Sequence, residues 1–480
     1  MFSKSLTKKN KNIVVLGGGI PGIFSALYLS KIYKSHEIFL IENSSNIGGL
    51  YNSIKNEDVG IFDKGMHIIY ETCDNEIDKV IRSALKEEEW IFLEGNYKDV
   101  AGVFFKDKLN TNSPYLNINQ VNKEKLDLCL SNLFLALQKI PPNLSECKNA
   151  KEFFEKRFGQ QLTEELFEPV LNKLWGIPAQ ELHPAITRIT LMDRLIIFDE
   201  ESVKDLMKSE RIRSRIAFPN QMDLDLSYRS PQRGLYPKSF GMYNVINGLE
   251  KRLKESNIRI CRNSNLKTIN LSNSRINSIT FNHENKNIKI EDLEFVHSTI
   301  APINLTKFFN LEINKKSYDK SLNQKYVYLL LKEKPNMKDL YYYYSFEEGM
   351  KTYRVTNYSS YCPDAKRKND NKFPNSWPLC IELHYKEDKI KDNTVLKDAI
   401  KELILTGVIE NEKNILYSKV YSAGGVPLLT INNCKIASDA YNQIKNLKIE
   451  NLILGCQLPE KGIFFLHDVL IHTKNLINSY

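Results

Sequence analysis

The chain has 480 residues, 42% hydrophobic and 26% charged, a balance that excludes wholesale disorder and, at this length, implies two or three domains. The formal net charge of +9 is thinly spread, its densest clusters being Lys8, Lys9, Lys11 and then Lys366, Arg367, Lys368; a basic stripe for nucleic acid is excluded, and a small-molecule partner is expected. No run of about 18 apolar residues exists, so no membrane span is expected.

Met1–Asn12 lacks the apolar core of a secretory signal. The eight cysteines (Cys73, Cys129, Cys147, Cys261, Cys362, Cys380, Cys434 and Cys456) contain no CxxC pair. Buried free thiols, no metal site and a reducing, cytoplasmic setting are expected. The composition says nothing about oligomeric state.

Ile13-Val14-Val15-Leu16 is a β-branched run that reads as a fully buried parallel strand. Gly17-Gly18-Gly19-Ile20-Pro21-Gly22 follows at once, then a helical stretch from Ile23 to Tyr33, then a second strand, Ile38-Phe39-Leu40-Ile41, closed by Glu42. Gly17 permits the tight turn, Gly19 lets backbone approach a pyrophosphate, and Gly22 lets the helix pack on the sheet. The helix N-terminus offers N–H groups and partial positive charge to phosphates, and Glu42 is placed for ribose hydroxyls. Strand, glycine turn, helix, strand and acid in this order define a dinucleotide-binding unit.

Gly48 and Gly49 follow the acid, and then Val59-Gly60-Ile61-Phe62-Asp63-Lys64-Gly65-Met66-His67-Ile68. The paired glycine is not needed for NAD. It resembles the second glycine motif of flavoproteins in the amine oxidase superfamily, which implies FAD. The Asp63-x-Gly65-x-His67 loop resembles the flavin-contacting loop of UDP-galactopyranose mutases, which implies that Gly65 and His67 touch the flavin. Lys173-Leu174-Trp175-Gly176, Arg188-Ile189, Tyr236–Met242, Ser298–Pro302 and Thr352–Asn357 are similar to segments of mutases and protoporphyrinogen-oxidase-like proteins. The resemblance implies that Arg354 lies near flavin and substrate. Trp175 is a candidate wall of the substrate pocket. Asn451–Gly455 and the helix from about His467 resemble the last FAD-binding element. They make Gly455 and Asp468 candidate cofactor contacts, although helix capping is the plainer role for Asp468.

Two departures narrow the reading. Cys456, Gln457, Phe464, Phe465 and Leu466 stand where mutases place an arginine and tyrosines, and phenylalanine and leucine cannot grip a sugar-nucleotide diphosphate. Val426 stands after Ala423-Gly424-Gly425, where monoamine oxidases carry a flavin-linked cysteine, so the FAD is expected to be non-covalent. Alternation along a strand lets at most two of Tyr341–Tyr344 share a pocket wall.

The expected architecture is α/β. A Rossmann-like, glutathione-reductase-type FAD domain is assembled from 10–100, 225–302 and 415–480, with a mainly helical insertion (105–222) and an antiparallel β-sheet substrate domain (303–414). The expected activity is oxidation of a small, anionic or sugar-derived substrate at flavin N5, with His67, Arg354 and Trp175 as candidate catalytic residues. The alternatives are a mutase-like pyranose/furanose isomerisation on reduced FAD, and flavin binding without catalysis.

Overall fold

The computed structural model describes residues 11–314, 317–367 and 372–480; Lys8, Lys9 and Lys368 of the basic clusters lie outside them. The strand Asn12–Leu16, buried from Ile13 onward, is the centre of a five-stranded sheet. Its order is Arg259–Cys261, Glu37–Ile41, Asn12–Leu16, Leu293–Ser298, Leu452–Leu454, and every pairing is parallel. Parallel strands covered on both faces need continuous apolar runs, which is why NIVVL and EIFLI lack alternation. The helix Ile20–Ile32 is buried almost all round over its first ten residues. It packs against the terminal helix Leu466–Ser479 and the helix Tyr243–Glu255, the latter through Val245, Leu249 and Leu253 at helical spacing.

A second, seven-stranded sheet has the order Ile415–Val426, Leu322–Leu331, Trp377–Tyr385, Thr352–Asn357, Tyr342–Ser345, Ala101–Phe105, Lys108–Asn110. It recruits strands on both sides of the 303–414 segment. All its pairings are antiparallel except that of Tyr342–Ser345 with Ala101–Phe105. One face carries Val327, Leu329, Leu331, Tyr343, Val355, Ile381 and Leu383, packed with Val395, Ala399 and Leu403 of the helix Asp392–Leu405. The other face carries Tyr326, Tyr328, Tyr342 and Tyr344 and looks into the main core. The strand period of two thus sends Tyr342 and Tyr344 one way and Tyr343 the other, as expected for this run.

A register shift between Thr352 and Arg354 inserts one extra residue opposite Leu383 and Glu382. This bulge lets the neighbours Tyr353 and Arg354 both reach the tyrosine face, which a regular strand forbids. The 105–222 stretch contributes the helices Leu126–Leu137, Ala150–Phe158, Glu168–Trp175 and Glu200–Leu206. Their core includes the stacked rings of Phe154, Phe158 and Phe167, with centroids 4.4 Å (Phe154–Phe167) and 4.8 Å (Phe158–Phe167) apart. The Lys/Asn-rich stretch 282–289 is a hairpin whose turn residues Glu284 and Asn285 both have positive φ, the conformation that matches strand twist.

All eight cysteines are free. Cys129, Cys362, Cys380, Cys434 and Cys456 are buried, Cys147 and Cys261 are half-buried, and Cys73, against expectation, is exposed. Among the described residues no helix is long and apolar enough to cross a membrane, and no group of three or more His, Cys, Asp or Glu could hold a metal.

His297 lies on the inner strand Leu293–Ser298 of the parallel sheet, fully buried, with neither ring nitrogen hydrogen-bonded among the described residues. Burial, and secondarily His472, pulls its pKa from 6.5 to about 3. The folded value lies below the unfolded one, so the unfolded chain binds the extra proton between these limits. Stability is therefore lost as pH falls through that window, by up to about 1.4 kcal/mol per pH unit for this group. Replacing His297 by leucine should flatten the dependence of the urea midpoint on pH across the window. An unchanged slope would show that this ring is not held neutral.

Candidate functional site

Two glycine turns clasp each other at the C-terminal edge of the parallel sheet. Gly48 N–H donates to Gly18 O at 2.7 Å, and Gly19 and Gly48 form a parallel bridge. Gly17 and Gly48 hold φ values of +101° and +104°, a region other residues rarely enter. A Cβ on Gly22 would overlap the Gly17 carbonyl oxygen, whereas one on Gly19 would meet nothing nearer than Pro21 Cδ at 3.7 Å. Gly22 therefore serves helix–strand packing, and Gly19 borders open space. Gly49 lies across from Gly19, the distance from its ideal Cβ to Gly19 Cα being 3.6 Å. No side chain caps the helix that starts at Ile20, so its end is free for an anion. Glu42 accepts from Gly18 N–H and Ser44 N–H, both at 2.7 Å, which places its carboxylate beside the glycine turn.

The Asp63–His67 loop is fixed by its first residue. The buried Asp63 carboxylate accepts from Ser53 Oγ (2.5 Å), Tyr236 OH (2.5 Å) and Met242 N–H (2.9 Å). Its carbonyl oxygen accepts from Tyr328 OH (2.9 Å) and Tyr358 OH (2.7 Å). Burial pushes the carboxyl pKa up, and the hydrogen bonds pull against that. Asp63 thus ties the glycine-rich segment, the Tyr236–Met242 segment and the large sheet to one point. Beyond it Gly65, with φ +78°, passes so close to the Glu382 carboxylate that no side chain would fit.

Arg354 is not on the surface: its side chain is 13% exposed and that of Glu382 is 3% exposed. Its Nε donates to Glu382 Oε1 at 2.6 Å, and Gln324 donates to the other carboxylate oxygen at 3.0 Å. Burial opposes the arginine's charge, but Glu382, Tyr344 and Tyr353 beside it hold its pKa up. The rings of Tyr342, Tyr344 and Tyr353 each lie 5.8 Å from the guanidinium carbon, within cation–π range. Its two terminal nitrogens make no hydrogen bond among the described residues.

His67 stands beside this group, its ring 5.2 Å from that of Tyr51 and its Nε2 unpartnered. Burial, then the charges of Arg354 and Lys64, draw its pKa from 6.5 to about 3, so it is neutral at ordinary pH. Trp175 is 2% exposed, packed against Tyr353 and His384. It backs the tyrosine cage and is not itself an open wall. Lys173, two residues earlier, donates to Ser345 O and Thr352 O on either side of the loop that joins the strands Tyr342–Ser345 and Thr352–Asn357, and burial lowers its pKa to about 7.

The C-terminal candidates stand differently. A Cβ on Gly455 would strike His297 and approach Thr473, so this glycine serves close packing of strand and helix. Asp468 accepts from Phe464 and Phe465 N–H at the start of its own helix and pairs with Arg188 at 3.3 Å. Helix capping is thus the role the geometry gives it.

Sequence reasoning missed Glu382, which looked like an ordinary strand residue, and the pair Tyr70–Asp99. Alternation within LCIEL, with the acid on the face opposite Ile381 and Leu383, was the available signal for Glu382. Tyr70 OH donates to Asp99 Oδ1. Tyr51, Tyr70 and Tyr115 are half-buried, and Asp99 is exposed.

The molecule thus joins a parallel sheet with its glycine turn, a helical insertion and a large second sheet. Residues 15–84 match the family model of the NAD(P)-binding Rossmann-like domain. A 55-residue stretch is 38% identical to protoporphyrinogen oxidase of Bos taurus; the match spans only 12% of this chain and 12% of that enzyme. Among solved structures, reduced UDP-galactopyranose mutase superposes with a TM-score of 0.69 at 17% identity, covering 98% of this chain and 95% of that one. A fatty acid isomerase from P. acnes superposes with a TM-score of 0.56 at 12% identity, covering 98% of both. In fold the chain is similar to these two solved proteins over nearly its whole length.

Proposed function

We propose that the chain is an FAD-dependent oxidoreductase that holds FAD without a covalent link and oxidises a small, anionic or sugar-derived substrate. The observation that carries the reading is the continuity from the glycine cradle, through the Asp63-anchored loop, to the buried Arg354–Glu382 pair ringed by tyrosines, with His67 beside it. Residues and cofactor fit. Gly17, Gly19, Gly22, Gly48 and Gly49 would give backbone approach to the diphosphate, Glu42 would take the ribose, and Gly65 and His67 would border the ring. The FAD domain is assigned to 10–100, 225–302 and 415–480, less the strand Ile415–Val426. Bound flavin supplies a two-electron acceptor, and the protein supplies orientation and exclusion of water. Arg354, anchored by Glu382, holds an anionic group with its free guanidinium edge, and neutral His67 adds no competing charge.

The test is spectroscopic. Purified protein should carry flavin absorbance near ~450 nm, and an oxidisable substrate should bleach it without air. Protein that stays colourless after incubation with excess FAD and gel filtration would defeat the reading. A mutase-like isomerisation on reduced FAD is the second reading, favoured by the end-to-end likeness to the mutase fold; turnover only after dithionite reduction, with an isomeric product, would establish it. Phe464 and Phe465, at the position where a diphosphate grip is needed, speak against it.

Arg354→Met should leave FAD bound and raise KM for an anionic substrate about tenfold or more, roughly the 1.5–3 kcal/mol of a charge-assisted hydrogen bond. It also strands Glu382, so Glu382→Gln with Arg354→Met should recover stability but not KM. An unchanged KM in both variants would remove Arg354 from the substrate site.

A further inference from the structure

The run Lys173-Leu174-Trp175-Gly176 closes the insertion helix Glu168–Trp175, and three of its residues meet the large sheet at one place. Gly176 ends the helix with φ +67°, and a Cβ there would strike Lys386 Cε, just past the strand Trp377–Tyr385. Trp175 packs against the Tyr353 ring, 6.2 Å away, and against His384. Lys173 donates to the carbonyl oxygens of Ser345 and Thr352. Thr352, 1% exposed, is the residue at which the bulge begins.

The same residue is held from the other face of the sheet. Glu402, 7% exposed, lies on the helix Asp392–Leu405, whose Val395, Ala399 and Leu403 cover the face opposite the tyrosines. Its two carboxylate oxygens accept from Lys351 N–H at 2.7 Å and Thr352 N–H at 2.8 Å. Thr352 thus gives its N–H to a buried carboxylate, and its carbonyl accepts from a half-buried amine. A bulge interrupts the ladder, and main-chain groups buried there need partners. Here the partners carry opposite charge, and charge-assisted hydrogen bonds are roughly twice as strong as neutral ones. Burial works against the charge on Lys173, while Glu402 and then Glu347 hold it up, so each grip supports the other across the peptide.

The consequence falls on the next two residues. Tyr353 is the extra residue of the bulge, its ring stacked on that of His384 at 4.5 Å, and Arg354 pairs with Glu382 in the shifted register. In a regular strand successive side chains leave by opposite faces, so without the bulge Tyr353 and Arg354 could not both look toward the tyrosines. We propose that Lys173 and Glu402 are positioning residues for Arg354. Gripping Thr352 from the two faces of the sheet, they fix the bulge that turns the guanidinium toward Glu382. The pair acts whether or not flavin is bound, and its consequence for an anionic substrate rests on the role proposed for Arg354.

The test is the position of Arg354 in crystal structures of full-length variants, beside thermal melts and FAD content. Lys173→Met removes the grip on both carbonyls. It should lower the melting temperature and break the Arg354–Glu382 hydrogen bond, now 2.6 Å, with the register shift at Tyr353 lost or moved. Glu402→Met, which strips the acceptor from two amides, should do the same. Lys173→Arg should return Arg354 to Glu382, because a guanidinium can donate to two carbonyls and residue 173 borders a cavity of about 190 Å³ with room for one more bond length. If Lys173→Met does not fold, Lys173→Gln replaces it, its amide uncharged and one bond short of the two carbonyls. A folded Met or Gln variant that keeps the Arg354–Glu382 pair and the bulge overturns the proposal, since a lysine that only stabilises the fold would lower the melt without moving the arginine. So does a Lys173→Arg variant in which Arg354 is displaced as far as in Lys173→Met. A displaced Arg354 in protein that never takes up FAD upholds the positioning pair and defeats the flavoenzyme reading. An undisplaced Arg354 in FAD-loaded variants defeats the pair and leaves the flavoenzyme reading standing.

Discussion

Gly22→Ala and Gly19→Ala are expected to fail in different ways. At Gly22 the new methyl group would overlap the Gly17 carbonyl oxygen, a backbone atom held by the turn out of the first strand. Helix and sheet must separate, at a cost of at least about 3 kcal/mol, since overpacking against side chains alone costs 1–3. The protein should show a lowered urea midpoint and retain no FAD after desalting. At Gly19 φ is −67°, which alanine adopts freely, and the methyl would find only Pro21 Cδ at 3.7 Å. Stability should be unchanged, but the methyl occupies the space where a diphosphate must approach backbone. FAD affinity should fall about tenfold to a hundredfold, or 1.4–2.7 kcal/mol. Calorimetric FAD titration beside urea unfolding separates the effects. Unaltered FAD affinity in Gly19→Ala would mean that the diphosphate does not lie there.

Asp63→Ala should be the most destabilising substitution in the loop. It strips the acceptor from Ser53 Oγ, Tyr236 OH and Met242 N–H, all in a dry environment. Each unsatisfied buried donor costs about 1–3 kcal/mol, so the loss should reach about 4 kcal/mol or more. Asp63→Asn keeps shape and one acceptor oxygen and should lose about half as much. Because the Asp63 carbonyl also receives Tyr328 and Tyr358, misplacement of this residue moves His67 away from Arg354. Both variants should therefore bind FAD more weakly than their folded fraction explains. Asp63→Ala with wild-type stability would show that these bonds do not form in solution.

The nucleotide-binding end was legible because its chemistry is local. A β-branched strand, the glycines Gly17, Gly19 and Gly22, a helix and an acid all lie within thirty residues, and each of these glycines answers a backbone requirement that the sequence displays. The Asp63–His67 loop was legible as a motif but not as a mechanism. Nothing in the sequence tells that Asp63 collects three donors from segments 10, 173 and 179 residues away. Asp468 and Gly455 drew a cofactor role from their place near the last helix, whereas local capping and the close approach of His297 account for them.

The sequence by itself determined the parallel sheet with its glycine turn, because backbone reach and strand burial are written in consecutive residues. It also determined which alternate tyrosines share a face. Only the tertiary structure decided the chemistry opposite that turn. Arg354 reaches the tyrosine face because a one-residue bulge turns it inward, Glu382 from the next strand anchors it, and the strand Ala101–Phe105, some 240 residues earlier, pairs in parallel with Tyr342–Ser345 to extend that face. Register and sheet order are set by packing summed over the whole core. No window of sequence carries that sum, and the groups that would choose the substrate emerge only when the strands are laid side by side.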